Sequence, residues 1–246
     1  VTALGSGAVT VLKTADDLAA MRVAGRAVWR AVSAAVEQCA PGMTTAEVAG
    51  TALAAAGDLE GAIVSVCVND EAAFAPPGPR RLHPGDLVTV DLAGAVGGWW
   101  SDASRAAVVA PPGDDAVRLA QAADATLAAG LAAIRPGVAW SAVAAAVRAE
   151  AGRRGVGLVV SLAGHGIGRR LHEGPALRLD AAAGGPADPL LRAGMVMTLE
   201  PTVTLGSGAT VEAPDGTLRT ADGGLVCTEE RTLAVREVGT EVLTGA

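Results

Sequence analysis

The chain reads as an α+β protein, α/β in the broad sense, built from two related halves, and three observations carry that expectation. Residues Gly85–Asp91 (GDLVTVD) and Gly194–Glu200 (GMVMTLE) spell one phrase: a glycine, a short apolar run, a threonine two places before the end, and a closing acid. PGMTTAEV from Pro41 and PGVAWSAV from Pro136 share a Pro–Gly stop and a valine at the same spacing. Around these phrases the order helix, helix, strand, strand pair runs twice. A Pro–Gly stop before a helix is common, so it is the two phrases together that make a repeat a better explanation than chance. The halves fall at about 14–110 and about 114–240. They are expected to form a single domain over 1–246 with approximate two-fold symmetry.

In the first half, Thr14 can cap a helix in which Leu18, Met21, Gly25, Val28 and Val32 recur at helical spacing until Pro41–Gly42. Thr44 and Glu47 have capping-box spacing for a second helix ending near Gly57. A strand over Ala62–Asn69 precedes a Pro-rich loop, Ala75–Pro84. Leu87–Ala95 and Trp99–Val109 then form a hairpin across Gly97–Gly98. In the second half, an Ala-rich helix runs from about Asp115 to Ile134, and Ser141 is expected to cap another that ends near Gly155. A strand Val156–Leu162, a Gly-rich loop, and strands Met195–Leu205 and Leu225–Val235 complete the series.

Composition excludes several classes of function. Of 246 residues, half are apolar, yet there is no Tyr and one Phe, so small side chains must build the core and few aromatic anchors remain for a pocket. A net charge of −7 with scattered bases argues against nucleic acid or an anionic membrane as partner. Cys39, Cys67 and Cys227 form no CxxC pair, and an odd count fits a reducing compartment. No apolar run reaches the length of a membrane span, and the N-terminus lacks a basic segment followed by an apolar one. A soluble cytoplasmic protein, most simply a monomer, is expected.

The chemistry lies in the acids. Alternation along a strand puts Thr89 on the same face as Asp91, and Thr198 on the same face as Glu200. A carboxylate at the end of a strand built for burial is costly unless something positive meets it. Asp102 opens the next strand of the first half, and Glu229–Glu230 opens the last strand of the second, at equivalent places in the repeat. Only one of that pair can face a site, and grouping with Thr232 and Ala234 favours Glu230. His165, in AGHGIGRRLHEGP, is flanked by glycines that would let the backbone bend around the imidazole. Any of these acids alone reads as a turn residue, and a lone His beside Gly as structural. Jointly, four carboxylates and one imidazole describe a hard, oxygen-rich site suited to two divalent ions, Mn, Fe, Co or Zn. A pair of such ions relieves the repulsion among the carboxylates and can activate water against a carbonyl. Gly164, Gly166 and Gly168 open no GxGxxG helix, so a nucleotide site is not expected. Cys67 has no activating base beside it in sequence.

These residues resemble a known family. GHGIGRRLHEGP, GMVMTLEP, the spacing of Asp91 and Asp102, and the closing EERTLAV look like type I methionine aminopeptidases. MRVAGR at Met21 and APGMTTAEV at Ala40 extend the likeness over nearly the whole chain. The resemblance implies the duplicated "pita-bread" fold, a curved antiparallel sheet flanked by helices. It implies that Asp91, Asp102, His165, Glu200 and Glu230 are the metal ligands, with Asp102 and Glu230 bridging. It further implies that Glu200 handles the proton of the attacking water and that His172 contacts the scissile amide and helps stabilise the oxyanion.

The chain also departs from that family. After the first strand, C-x-S-x-N and a segment ending HGIP are expected, whereas Ser65-Val-Cys67-Val-Asn69 and EAAFAPP stand here. Phe74 replaces a substrate-facing histidine and cannot donate a hydrogen bond to a leaving nitrogen. Aromatic groups of the family's pocket are missing at Gly57–Gly61, at Leu171 and near Gly216–Thr217. Ser65, Cys67, Phe74, Trp99 and Leu171 are the candidates to line a substrate pocket, with Trp99 and Trp100 either a rim or a packing plug. Two enzymatic readings follow. One is a dinuclear aminopeptidase that releases an N-terminal methionine or another small residue. The other is a metalloenzyme of the same fold acting on a small amide or amino-acid derivative. A binding protein on the same scaffold ranks last, because all five ligand candidates are kept.

Overall fold

A computed structural model describes residues 10–185 and 188–245. The expectation that no leader segment opens the chain falls on residues 1–9, outside the described range. The first half comprises α1 (Ala15–Gln38), α2 (Thr45–Ala56), β1 (Glu60–Val68), β2 (Glu71–Ala73), β3 (Leu87–Val96) and β4 (Trp99–Val108). The second begins with α3 (Asp114–Ala133), α4 (Trp140–Arg154), β5 (Gly157–Leu158), β6 (Ala163–Gly166) and β7 (Glu173–Arg178). It continues with β8 (Val196–Leu199), β9 (Thr202–Thr204), β10 (Thr210–Glu212), β11 (Leu218–Thr220), β12 (Val226–Thr228), β13 (Glu230–Val235) and β14 (Thr240–Val242).

Local sequence explains the helix starts. Thr14 and Asp17 form a reciprocal capping box, as do Thr44 and Glu47, each satisfying two backbone donors that the first turn leaves free. The face of α1 carrying Met21, Val28, Ala31 and Val32 is buried, and the helix packs across α2, β3 and β4. Ser141 does not cap α4. The N-cap is Ala139, which has no side-chain oxygen, and the cap comes from Asp188, whose carboxylate accepts from Ser141 N at 2.7 Å and Ser141 Oγ at 3.0 Å. A cap supplied from 47 residues away leaves no signal in the local sequence.

The main sheet is antiparallel, in the order β1-β3-β4-β13-β8-β6-β7, with β14 on the end of β13. About the β4–β13 seam the order reads alike outward: β4 and β13, then β3 and β8, then β1 and β6. The backbone repeats as the phrases do. Gly42 N donates to Leu82 O and Gly137 N to Leu191 O, both at 2.8 Å, while Gly85 N donates to Val109 O and Gly194 N to Val235 O. Both phrase-opening glycines, Gly85 and Gly194, sit at φ 87°, a conformation that favours a residue without Cβ. Each half keeps its own apolar cluster, one around Val28, Val48, Val66 and Val90, the other around Trp140, Leu177, Met197 and Leu233.

Three strand expectations need correction. Met195–Leu205 is two strands, β8 and β9, interrupted at Glu200–Pro201, because Pro201 has no N–H for the ladder. Leu225–Val235 is likewise two, β12 and β13, interrupted at Glu229. β9 pairs with both β12 and β5 in a separate small sheet, so both long segments leave one sheet for another at or beside a candidate ligand. The Gly-rich loop is instead the paired strands β6 and β7, whereas Val156–Leu162 is strand only over Gly157–Leu158. Gly97 and Gly98 both have positive φ, as a two-residue hairpin turn requires. Among the described residues, no helix is long and apolar enough to cross a membrane.

Candidate metal centre

The seam between the halves is where the acids meet. Asp91 lies mid-way along β3, opposite Ser65 of β1 on one side and Ser104 of β4 on the other. Asp102 sits on β4, and Glu230, the first residue of β13, is in register with Ser104. His165 lies on β6, and Glu200 directly follows β8. One ligand atom from each of Asp102, His165 and Glu230 falls within 4.8 Å of the others, and all three residues are buried. Asp91 and Glu200 stand outside that group but line the same cavity as Glu230, a space of about 50 Å³.

Second contacts hold these groups in place. Thr232 Oγ1 donates to Asp102 O at 2.7 Å and accepts from Asp102 N at 2.9 Å, stitching β13 to β4 behind the acid. Thr198, two residues before Glu200, accepts from His165 N at 3.2 Å. His165 Nδ1 lies 3.0 Å from Gly166 O; a carbonyl only accepts, so Nδ1 carries the proton and Nε2 presents its lone pair. That Nε2 is 3.9 Å from Asp102 Oδ2. Burial holds the imidazole down at about 4, hence neutral and able to ligate.

The electrostatics ask for positive charge. Burial pushes the Asp91 carboxyl up to about 6. Burial, then the neighbouring carboxylates, raise Asp102, Glu200 and Glu230 well above the ordinary range. Asp91 Oδ1 and Asp102 Oδ1 are buried with no hydrogen-bond donor from the protein, a costly state for carboxylate oxygens. Oxygen-rich donors, orphaned lone pairs and an imidazole of fixed tautomer fit hard divalent cations. Glu229, by contrast, faces away: it accepts from Ala106 N at 2.8 Å and pairs with Arg231 at 3.0 Å.

The glycines around His165 do not bend the chain around it. None of Gly164, Gly166 and Gly168 has positive φ, and each lies where a neighbour approaches too closely for a side chain. A Cβ would fall 2.5 Å from Thr198 O at Gly164, 2.2 Å from Gly174 O at Gly166, and 2.6 Å from Lys13 Cε at Gly168. The His172 ring lies edge-on to that of His165, centroids 4.4 Å apart.

The pocket candidates divide. Ser65, Cys67 and Phe74 line the cavity with Ala72, Ala73, Thr89 and Leu162. Phe74 is 45% exposed and sits at φ 61°, a strained conformation for a bulky residue. Trp99 and Leu171 belong instead to an apolar cluster with Leu18, Met21 and Ile167, and Arg169 stacks on Trp99 at 3.9 Å. Burial pushes the Cys67 thiol up to about 12, so it is no nucleophile at neutral pH. Sequence reasoning had singled out Thr89 and Thr198 but not Ser104, whose buried hydroxyl lines the cavity between Asp91 and Glu230.

The model of metallopeptidase family M24 matches residues 19–237, and the chain belongs to that family of divalent-metal hydrolases. Within it, the chain is similar to methionine aminopeptidases. It is 35% identical over 253 residues to methionine aminopeptidase 1 of Mycobacterium tuberculosis, covering 94% of each chain. It is 36% identical over 184 residues to methionine aminopeptidase of Treponema pallidum, covering 74% of this chain and 72% of that one. The crystal structure of methionine aminopeptidase from Thermotoga maritima superposes with a TM-score of 0.92 at 27% identity, over 97% of this chain and all of that one. The fold is therefore the pita-bread fold expected from the sequence.

Proposed function

We propose that the chain is a dinuclear metal-dependent aminopeptidase that removes the first residue, methionine or another small one, from peptides. The convergence of Asp91, Asp102, Glu200 and Glu230 with His165 at the seam, leaving buried oxygens unpaired, carries the reading. These five residues would hold two divalent ions, Mn, Fe, Co or Zn, both halves contributing to a single catalytic domain. When bound, the ions supply Lewis acidity toward the carbonyl and lower the pKa of water.

The protein groups have separate tasks. Glu200, at the edge of the cavity and of raised proton affinity, accepts the proton of the attacking water and delivers it to the departing amine. His172 donates to the carbonyl oxygen as negative charge gathers there. Ser65, Cys67 and Phe74 form the wall that meets the first side chain. The same reading makes the enzyme a cytoplasmic monomer, with neither nucleic acid nor membrane as partner; scattered bases at net charge −7 support it.

A second reading, a small amide or amino-acid derivative as substrate, is favoured by Phe74, which offers a cavity-side aromatic ring in place of a donor. A library of short peptides differing at the first residue separates the two, with stripped enzyme reloaded separately with Mn, Fe, Co or Zn. Release of one residue ahead of the others supports the aminopeptidase. Silence with every metal, from protein holding two ions, moves the substrate to a small amide.

A further inference from the structure

We propose that Lys13 and Glu173 form a buried clamp that positions His172 for the reaction. The proposal rests on the reading of His172 as the group facing the scissile amide. Lys13 Nζ lies 2.5 Å from Glu173 Oε2, the two side chains being 3% and 6% exposed, and the residues are 160 apart in sequence.

The clamp ties the start of the chain to the turn that carries the histidine. Lys13 is anchored on its own side, its N–H donating to Gly194 O at 2.7 Å and its ammonium also donating to Val11 O at 3.2 Å. Thr10 forms a parallel bridge with Gly174. On the other side, Glu173 Oε1 accepts from Arg170 N at 3.3 Å, closing the turn over Arg170–Glu173. Gly168 is part of the same fit, because a Cβ there would lie 2.7 Å from Lys13 Nζ and 2.8 Å from Glu173 Oε1.

His172 needs such support. It is exposed, no hydrogen bond from the described residues orients its ring, and the ring lies edge-on to that of His165. Its direction is therefore set by the backbone from which it projects, and the next residue is the one pinned by Lys13. Successive residues entering a strand point to opposite faces, so Glu173 can enter the clamp while His172 faces the site. A buried ion pair is weak evidence for stability in itself, and a positional task accounts for its presence here.

The test is a double-mutant cycle between the clamp and His172, with Mn(II)-reconstituted enzyme and the Xaa-Ala-Ser tripeptide released fastest. Lys13→Met with Glu173→Gln removes both charges together, so no lone charge is buried. The expected result is a fall in kcat of about tenfold to a hundredfold with KM and Mn(II) affinity little changed. In a His172→Ala background the same change should cost nothing further. Equal loss in both backgrounds would make the pair merely structural and overturn the proposal. Undiminished turnover by His172→Ala alone would instead remove the role of His172 and the proposal with it. If the double replacement does not fold, Lys13→Arg, which keeps the charge and moves it, is read in the same cycle: additive loss overturns the proposal, and loss confined to the His172 background supports it.

Discussion

Glu200 and Phe74 face one cavity with opposite chemical capacities: one can carry a proton, the other cannot. Replacing Glu200 by Gln keeps shape and one oxygen ligand but removes the base. Turnover should fall by a factor on the order of 10² to 10⁴ while Mn(II) still binds, measured by release assay and titration calorimetry. Phe74→His restores a donor at the cavity wall. Release from ordinary peptides should rise, by about tenfold in kcat; an unchanged rate would show that the wall takes no part in the departure of the amine. At this scale the sequence was informative where chemistry demanded unusual residues, and Asp91, Asp102, His165, Glu200 and Glu230 come together at the seam. It was silent on Lys13 and Ser104, because a lone lysine near a terminus and a serine in a strand look like any others until their partners are known.

Elements were legible where the signal is local. The capping boxes at Thr14 and Thr44 and the Gly97–Gly98 hairpin lie within a few residues of what they control. The cap of α4 does not, since Asp188 reaches it from 47 residues further along the chain. Asp188→Ala should lower the urea midpoint with unchanged slope, and Ser141→Ala should lower it less because its N–H remains to be capped. Pro201 marked one interruption, but the one at Glu229 was hidden, because an apolar run does not tell which of two sheets each part joins. Gly168→Ala should destabilise the protein, whereas Gly152→Ala on the exposed face of α4 should not. The added methyl at 168 strikes Lys13 and Glu173, and nothing lies within 4 Å of a Cβ at Gly152. Thermal unfolding compares the two.

The molecule as a whole brings like charges together across a two-fold seam, and its stability must respond to pH and metal accordingly. In the stripped protein, carboxyls whose affinity for protons is raised by burial contribute stability below their unfolded pKa and lose it as pH rises through the folded value, about 6 for Asp91. His165, held down to about 4, works the other way, losing stability as pH falls from its ordinary value toward 4. Four carboxyls outweigh one imidazole. The Tm of stripped protein should therefore fall as pH rises from the ordinary carboxyl range through about 6, and Mn(II) should raise it most on the alkaline side. The repeat that places these acids was visible in two short phrases. The strand pairing that joins the halves was not, because β4 meets β13 across 130 residues of chain.

The most direct measurement is a titration of the stripped enzyme with Mn(II), following ions bound per chain and release of the first residue at each step. The expected result is no release without metal, with activity rising as ions bind and saturation at two per chain. Full release by stripped enzyme, or Mn(II) binding left unchanged by Asp102→Asn, would contradict a metal centre at the seam.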